Sequence, residues 1–155
     1  MPSGSNGSAA THAFRNFRAV GAAADTAAVL FANDAFYLTF QTSDYDAMEK
    51  VWSARDGVSC IHPGWPPLLG REPVLQSWRS ILANPNQQAV TAHAAVAELH
   101  GDSAIVICYE AVGKFVLVAT NVFVREDGQW KLVHHQSGET PPPESGLPAP
   151  DRTLQ

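Results

Sequence analysis

Residues 115–137, FVLVATNVFVREDGQWKLVHHQS, decide the fold. Apolar residues alternate along both halves of this stretch, and Asp127-Gly128 lies between the halves. An Asp-Gly pair between two alternating runs is a strong signal for a two-residue β-hairpin. Gly113-Lys114 and the connector His100–Asp102 give similar signals upstream. We therefore predict four antiparallel strands, at about residues 88–99, 103–112, 115–125 and 129–137.

Helical patterns precede the strands. Asp25 is suited to cap a first helix that continues to about Gln41, with apolar residues at helical spacing. A capping-box pattern at Ser43–Asp46 opens a short second helix. Gly70–Pro73 begins a third helix, and Asn84-Pro85 ends it. Three helices followed by long antiparallel strands predict an α+β domain in which a curved sheet wraps around the helices.

The composition fits one globular domain with unstructured ends. The chain has 155 residues, 45% of them hydrophobic, and a net charge of −5. It has no basic stripe for nucleic acid and no apolar run near the roughly 18 residues of a membrane helix. Residues 1–24 lack acidic side chains and are rich in Ser, Gly and Ala, which predicts a flexible extension. Residues 139–155 are predicted to form a disordered, Pro-rich tail.

The cellular location is predicted from the cysteines and the first residues. Cys60 and Cys108 are too few for a disulfide framework and indicate reduced thiols inside a cell. We predict a cytoplasmic protein. The alternative is an organelle-targeted protein with residues 1–24 as a transit-like segment.

Tight turns fix the register of the strands and therefore the two faces of the sheet. With two-residue turns, the face toward a pocket carries Cys108, Glu110, Asn121, Phe123, Trp130, Leu132, His134 and Gln136. The opposite face carries Ile105, Ile107, Tyr109, Val116, Val118, Thr120, Val122, Val124, Val133 and His135. Because this second face is largely β-branched and the helices can cover only one face, we predict a homodimer through the outer face. His93 opposes Glu110 if Gly101-Asp102 is a two-residue turn, and it falls on the outer face if the turn has three residues.

The stretch CIHPGWPP, residues 60–67, places an imidazole beside an indole in a backbone stiffened by prolines. His62 is a candidate general base near neutral pH. The alternative is a structural histidine that closes the loop. Trp65 is a candidate ligand contact, because it follows a loop rather than a helix face.

Glu110 on an apolar wall is costly unless it is hydrogen-bonded. We expect its partner among Asn121, His134, Gln136 and His93. A Glu–His pair is a common way to orient a base, and the alternative is a buried polar network without chemistry. The predicted catalytic residues are His62, Glu110 and His134. The predicted ligand-binding residues are Phe36, Tyr37, Trp52, Trp65, Trp78, Cys108, Asn121 and Gln136. No short metal-ligand spacing is present, and we expect no metal and no cofactor.

These residues resemble the nuclear transport factor 2-like superfamily in its SnoaL-like branch, over a domain at about residues 25–138. The motifs that carry the resemblance are Phe36-Tyr37, Asp46…Met48…Val51-Trp52, His62–Trp65, Gly70–Glu72, Ala119–Phe123 and Asp127–Ser137. The last strand is also similar to the association domain of calcium/calmodulin-dependent kinase II. The resemblance implies a ketosteroid isomerase-like cone of helices in a bent sheet, with a pocket at the wide end and a dimer across the outer face.

The resemblance implies a pocket rather than one reaction, because the family includes isomerases, dehydratases, cyclases, epoxide hydrolases and binding modules. One hypothesis is an isomerase, dehydratase or cyclase that acts on a small apolar carbonyl compound. The other is a non-enzymatic ligand-binding or association module. Ketosteroid isomerase-like chemistry needs a tyrosine from the first helix and a protonated acid. This chain has Phe36 near the expected place, with Tyr37 one position along.

Overall fold

The computed structural model describes residues 7–151, with side chains from residue 20 onward. The helices are α1 (Gly7–Thr42), α2 (Tyr45–Val51) and α3 (Arg71–Ala83). The strands are β1 (Ser59–Ile61), β2 (Leu68–Leu69), β3 (Val90–His100), β4 (Ser103–Val112), β5 (Phe115–Glu126) and β6 (Gln129–Glu139). They form one sheet in the order β2-β1-β6-β5-β4-β3. All neighbours are antiparallel except β1 and β6, so the sheet is mixed.

The α+β prediction is confirmed, with the helices packed against a curved, open sheet. The four long strands lie within about two residues of their predicted bounds, and α3 matches its predicted limits. Helix α2 is capped as expected, because the Asp44 carboxylate accepts a hydrogen bond from the Ala47 backbone N–H at 2.9 Å. Helix α1 begins at Gly7 instead of Asp25, which agrees with the helix-favouring alanines that precede Asp25. The predicted flexible extension therefore falls within α1 from residue 7 onward, and residues 1–6 lie outside the described part.

The turns at Gly113-Lys114 and Asp127-Gly128 have the predicted two residues, and the turn at Gly101-Asp102 has two rather than three. His100 pairs with Ser103, Val112 with Phe115, and Glu126 with Gln129. Two β-bulges, one on β6 and one on β3, then change which side chains point to the inner face of the sheet beyond them. On β6, Val122 pairs with His134 and Phe123 with Leu132, so Val133 is an extra residue. On β3, His93 pairs with Tyr109 and Val96 with Ile107, so two alanines oppose Cys108. A bulge of this kind reverses which side chains face the core beyond it.

The core lies between the helices and the inner face of the sheet. The ring of Phe36 contacts Tyr37, Phe40 and Trp78 in edge-to-face geometry, at centroid distances of 4.9–5.5 Å. Such aromatic contacts stabilise a core beyond the burial of their surface. Trp52 and Met48 are also buried. This cluster fixes α1 and α3 against each other and so forms one end of the cavity described below.

The segment after β6 contacts the edge strand β3. The His93 Nδ1 atom lies 2.8 Å from the Pro148 carbonyl oxygen, and the Asp151 backbone N–H donates to the Ala92 carbonyl oxygen at 2.8 Å. The Asp151 carboxylate accepts from the Ala95 backbone N–H at 3.1 Å, at the β3 bulge. The predicted disorder of this tail is therefore wrong for residues up to 151, because the bulge leaves edge groups that the tail can satisfy. Residues 152–155 lie outside the described part.

Within residues 7–151, no helix has an apolar stretch long enough to cross a membrane.

Candidate functional site

A cavity of about 280 Å³ opens between α1, α3, the loop after β1 and the inner face of the sheet. Its walls are largely apolar and include Phe40, Trp65, Trp78, Ile81 and Leu117. Its polar groups are His62, Gln87, Glu110, His135 and Ser137. An apolar cavity with a few convergent polar groups is the usual form of a small-molecule site.

Glu110 is the buried acid of the cavity. It lies on β4 with 3% of its surface exposed, and its Oε1 atom accepts a hydrogen bond from the Tyr37 hydroxyl at 2.7 Å. Burial raises the pKa of Glu110 above its usual value, and hydrogen bonds from Tyr37 and Ser137 act in the opposite direction. The Glu110 carboxyl group therefore keeps its proton to a higher pH than an exposed glutamate does. Tyr37 comes from α1, and its own pKa is raised by the same burial.

His135 lies next to Glu110 on the inner face. Its Nδ1 atom is 2.6 Å from Asn121 Oδ1, and its ring packs between Phe36 and Trp78. Burial, followed by the nearby His62 and His134, lowers the pKa of His135 to about 3. The imidazole is therefore neutral at ordinary pH. Its Nε2 atom lies 3.9 Å from Glu110 Oε1, so the two groups are neighbours without a direct hydrogen bond.

His62 lines the cavity from the loop after β1. Its ring lies between the indoles of Trp65 and Trp78, at centroid distances of 4.9 and 4.7 Å. The Nε2 atom is 2.8 Å from the Ser77 hydroxyl, which donates to the Val74 carbonyl oxygen. Burial lowers the pKa of His62 to about 4, so this imidazole is also neutral near pH 7.

A second layer of polar side chains lies behind the cavity wall. Asn121 is fully buried, and its Nδ2 group donates to Asn33 Oδ1 at 2.8 Å and to the Tyr37 hydroxyl at 3.2 Å. Cys108 Sγ lies 3.3 Å from the same hydroxyl. Burial raises the pKa of Cys108 to about 12, which leaves an unreactive thiol. The carboxamide of Asn121 is thus occupied by protein groups and holds His135, rather than facing a ligand as predicted.

The structure corrects three predicted placements on β6. His134 and Gln136 were expected in the pocket and His135 on the outer face. The extra residue Val133 reverses these positions, so that His135 and Ser137 face the cavity. His134 faces away from it and hydrogen-bonds the Ser59 hydroxyl at 2.7 Å, and Gln136 is exposed.

The bulge on β3 has a similar effect on His93. The turn at Gly101-Asp102 has two residues, yet Ala92 opposes Glu110 and His93 lies beside Tyr109 on the outer face. The partner of Glu110 is instead Tyr37, which strand register could not predict because it comes from a helix. Phe36, Trp52 and Cys108 are core residues behind the cavity. Trp65 and Trp78 line it, and their contact with a ligand stays a prediction.

A mixed sheet curved around three helices, with a cavity between them, defines the cone-shaped α+β class of nuclear transport factor 2-like proteins. Within this class the chain belongs to the SnoaL-like domain family, whose model matches residues 29–140. The resemblance predicted from the sequence motifs is confirmed.

Two solved structures show the similarity. A "putative dehydratase" of the NTF2-like family from Streptomyces avermitilis is 32% identical, with 76% of this chain and 97% of that chain covered and a TM-score of 0.70. A "putative" calcium/calmodulin-dependent protein kinase type II association domain from Thiobacillus denitrificans is 33% identical, with 71% and 93% covered and a TM-score of 0.64.

A curated relative, the F-box protein SKIP8 of Arabidopsis thaliana, is 29% identical over 116 residues. The match covers 74% of this chain, which spans half the length of that relative. The family and fold are thus established, and the relatives differ in what they are described to do.

Proposed function

We propose that the chain is a homodimeric binding domain for a small, largely apolar molecule. In this proposal the protonated Glu110 carboxyl group donates a hydrogen bond to a carbonyl oxygen of that molecule. The observation that carries this proposal is a buried acid with a raised pKa beside a neutral imidazole in an apolar cavity. A cavity of about 280 Å³ is near the lower end of ligand pockets, about 300–1,000 Å³, and favours a single-ring compound.

The same pair of groups supports acid–base chemistry on that molecule. A protonated Glu110 would polarise the carbonyl oxygen, while the neutral imidazole of His135 or His62 would accept a proton from the adjacent carbon. Isomerases, dehydratases and cyclases use proton transfers of this kind. The similarity to a protein described as a dehydratase favours this variant of the proposal.

The second candidate is an association module without chemistry. It is supported by the related association domain and by the outer face, where Val96, Ile107 and Val118 are 61%, 49% and 38% exposed. It is also supported by the mutual hydrogen bonding of Tyr37 and Asn121. The dimer is common to both candidates, and ligand binding separates them. The cytoplasmic location, with the transit-like alternative, stays a prediction.

The test is binding of cyclohexanone, followed by NMR, to wild type, Glu110→Gln and the control Gln136→Ala. The expected wild-type affinity falls as the pH rises through the pKa of Glu110, because the donor proton is lost. Glu110→Gln keeps a donor that does not titrate, so its affinity should not follow pH. The proposal would be overturned if the wild-type affinity did not depend on pH, or if binding shifted no NMR signal of a cavity residue.

Turnover is measured in the same samples as exchange of the α-hydrogens of the ketone with deuterium from the solvent. Faster exchange with wild type than with Glu110→Gln supports proton-transfer chemistry. Equal exchange in the two proteins, with binding retained, supports a ligand-binding domain without chemistry. Absence of binding supports the association module.

A further inference from the structure

The orientation of Asn121 determines which hydrogen bond His135 offers to the cavity. The Nδ2 group of Asn121 faces two oxygen atoms, Asn33 Oδ1 at 2.8 Å and the Tyr37 hydroxyl at 3.2 Å. The Tyr37 hydroxyl already donates its proton to Glu110, so its oxygen acts as an acceptor here, and only the N–H group of Asn121 can supply that hydrogen bond. The Oδ1 atom of Asn121 therefore faces His135 and acts as an acceptor.

An acceptor at 2.6 Å requires a donor on the imidazole. In a neutral imidazole one nitrogen carries the proton and the other carries a lone pair. The Nδ1 atom of His135 therefore carries the proton and donates to Asn121, and Nε2 carries the lone pair. This lone pair lies 3.9 Å from Glu110 Oε1, in a cavity that both residues line.

Glu110, when protonated, offers the cavity a hydrogen-bond donor, whereas His135 offers an acceptor. The Tyr37 hydroxyl donates to Oε1, so a protonated carboxyl group carries its acid proton on Oε2. Ser137 also lines the cavity, and its hydrogen bonding lowers the pKa of this carboxyl group. A ligand carbonyl would accept the acid proton of Glu110 beside Ser137 or in its place. When Glu110 is protonated, the cavity thus offers a donor from Glu110 and an acceptor from the neighbouring His135.

We infer that the cavity selects neutral ligands that carry a hydrogen-bond acceptor and a donor on adjacent atoms, as a lactam or other cis-amide does, and that Asn121 is the positioning residue for this selection. The C=O group would accept from Glu110, and the N–H group would donate to His135 Nε2. A ketone of the same size makes only the first of these bonds. This inference rests on the proposed function, since it assumes that the cavity binds a carbonyl compound.

The experiment compares three ring compounds of similar size: 2-piperidone, N-methyl-2-piperidone and cyclohexanone. Dissociation constants are measured by NMR titration of the full chain at one pH. The expected result is that 2-piperidone binds about 3- to 10-fold more tightly than the other two, since it makes one more neutral hydrogen bond. Equal binding of all three overturns the inference and leaves the proposed function intact. Absence of binding by all three overturns both.

A second readout tests the role of Asn121 itself. In ¹⁵N NMR of wild type, the proton of His135 should be on Nδ1, and a proton on Nε2 would overturn the inference without any variant. In Asn121→Leu, the proton should move toward Nε2 and the preference for the lactam should be lost. The control is Thr120→Val on the outer face, which should change neither. If Asn121→Leu does not fold, the wild-type tautomer and the ligand series still decide the question.

Discussion

The Tyr37 hydroxyl donates a hydrogen bond to Glu110 Oε1 at 2.7 Å and so joins helix α1 to strand β4. Both residues are buried, with 2% and 3% of their surfaces exposed. A hydrogen bond between buried groups is costly to break, because the remaining partner is left without water or a replacement. The pair therefore contributes to the position of α1 as well as to the polarity of the cavity.

Tyr37→Phe should destabilise the fold by about 1–3 kcal/mol, the typical cost of leaving a buried polar group unpaired. The substitution also removes a hydrogen bond that lowers the pKa of Glu110, so this pKa should rise further. Urea unfolding measures the first effect, and NMR titration of the Glu110 carboxyl carbon measures the second. A fall in the pKa of Glu110 in the variant would contradict the assigned contact.

Glu110→Gln should be more stable than wild type at neutral and basic pH. The pKa of Glu110 is raised in the folded state, so below its ordinary value of 4.5 the carboxyl keeps its proton whether folded or unfolded. As the pH rises from there toward the folded pKa, the unfolded state releases the proton first, and wild type loses stability. Each unit of raised pKa corresponds to about 1.4 kcal/mol. Glutamine stays neutral and still accepts from Tyr37.

The measurement is the free energy of unfolding in urea from pH 4 to pH 9 for both proteins. The two curves should converge at the acidic end and separate as the pH rises. Parallel curves would mean that Glu110 ionises in the folded protein as it does in the unfolded chain.

The buried histidines should make the fold sensitive to acid. The pKa values of His62 and His135 are lowered from 6.5 to about 4 and about 3. Above pH 6.5 both are neutral in either state. As the pH falls below 6.5, the unfolded chain binds protons that the folded chain does not, and each group removes up to about 1.4 kcal/mol per pH unit. His62→Gln should reduce this slope in urea unfolding, and an unchanged slope would contradict the burial of His62.

The neighbouring residues His134 and His135 provide a matched test of the β6 bulge. His135→Ala removes a buried ring between Phe36 and Trp78 together with its bond to Asn121, and should cost about 2–4 kcal/mol. His134→Ala removes only a half-buried contact with Ser59 and should cost about 0.5–1.5 kcal/mol. Urea unfolding of both variants checks the order, and a larger loss for His134→Ala would place the bulge elsewhere.

This bulge also marks the limit of prediction from the sequence. Periodicity and turn residues predict the strands and all three hairpins, because Asp127-Gly128 and Gly113-Lys114 specify two-residue turns. They do not predict the extra residue at Val133, since the run KLVHH has no glycine or proline to mark a bulge. The pairing of β4 with β5 is regular along its whole length, so the inner-face positions of Glu110 and Cys108 were predicted correctly.

The dimer prediction depends on the outer face of β3, β4 and β5. Ile107 and Val118 are half-exposed there, and an apolar surface of this kind is stabilised by burial against a second copy. An aspartate at either position would be buried without a partner in a face-to-face dimer, so Ile107→Asp and Val118→Asp should yield monomers. The matched control is Phe31→Asp, since Phe31 is 58% exposed on α1 and distant from this face in the fold. Sedimentation velocity should give a dimer for wild type and the control. If wild type sediments as a monomer, or if Phe31→Asp alone dissociates it, the interface lies elsewhere.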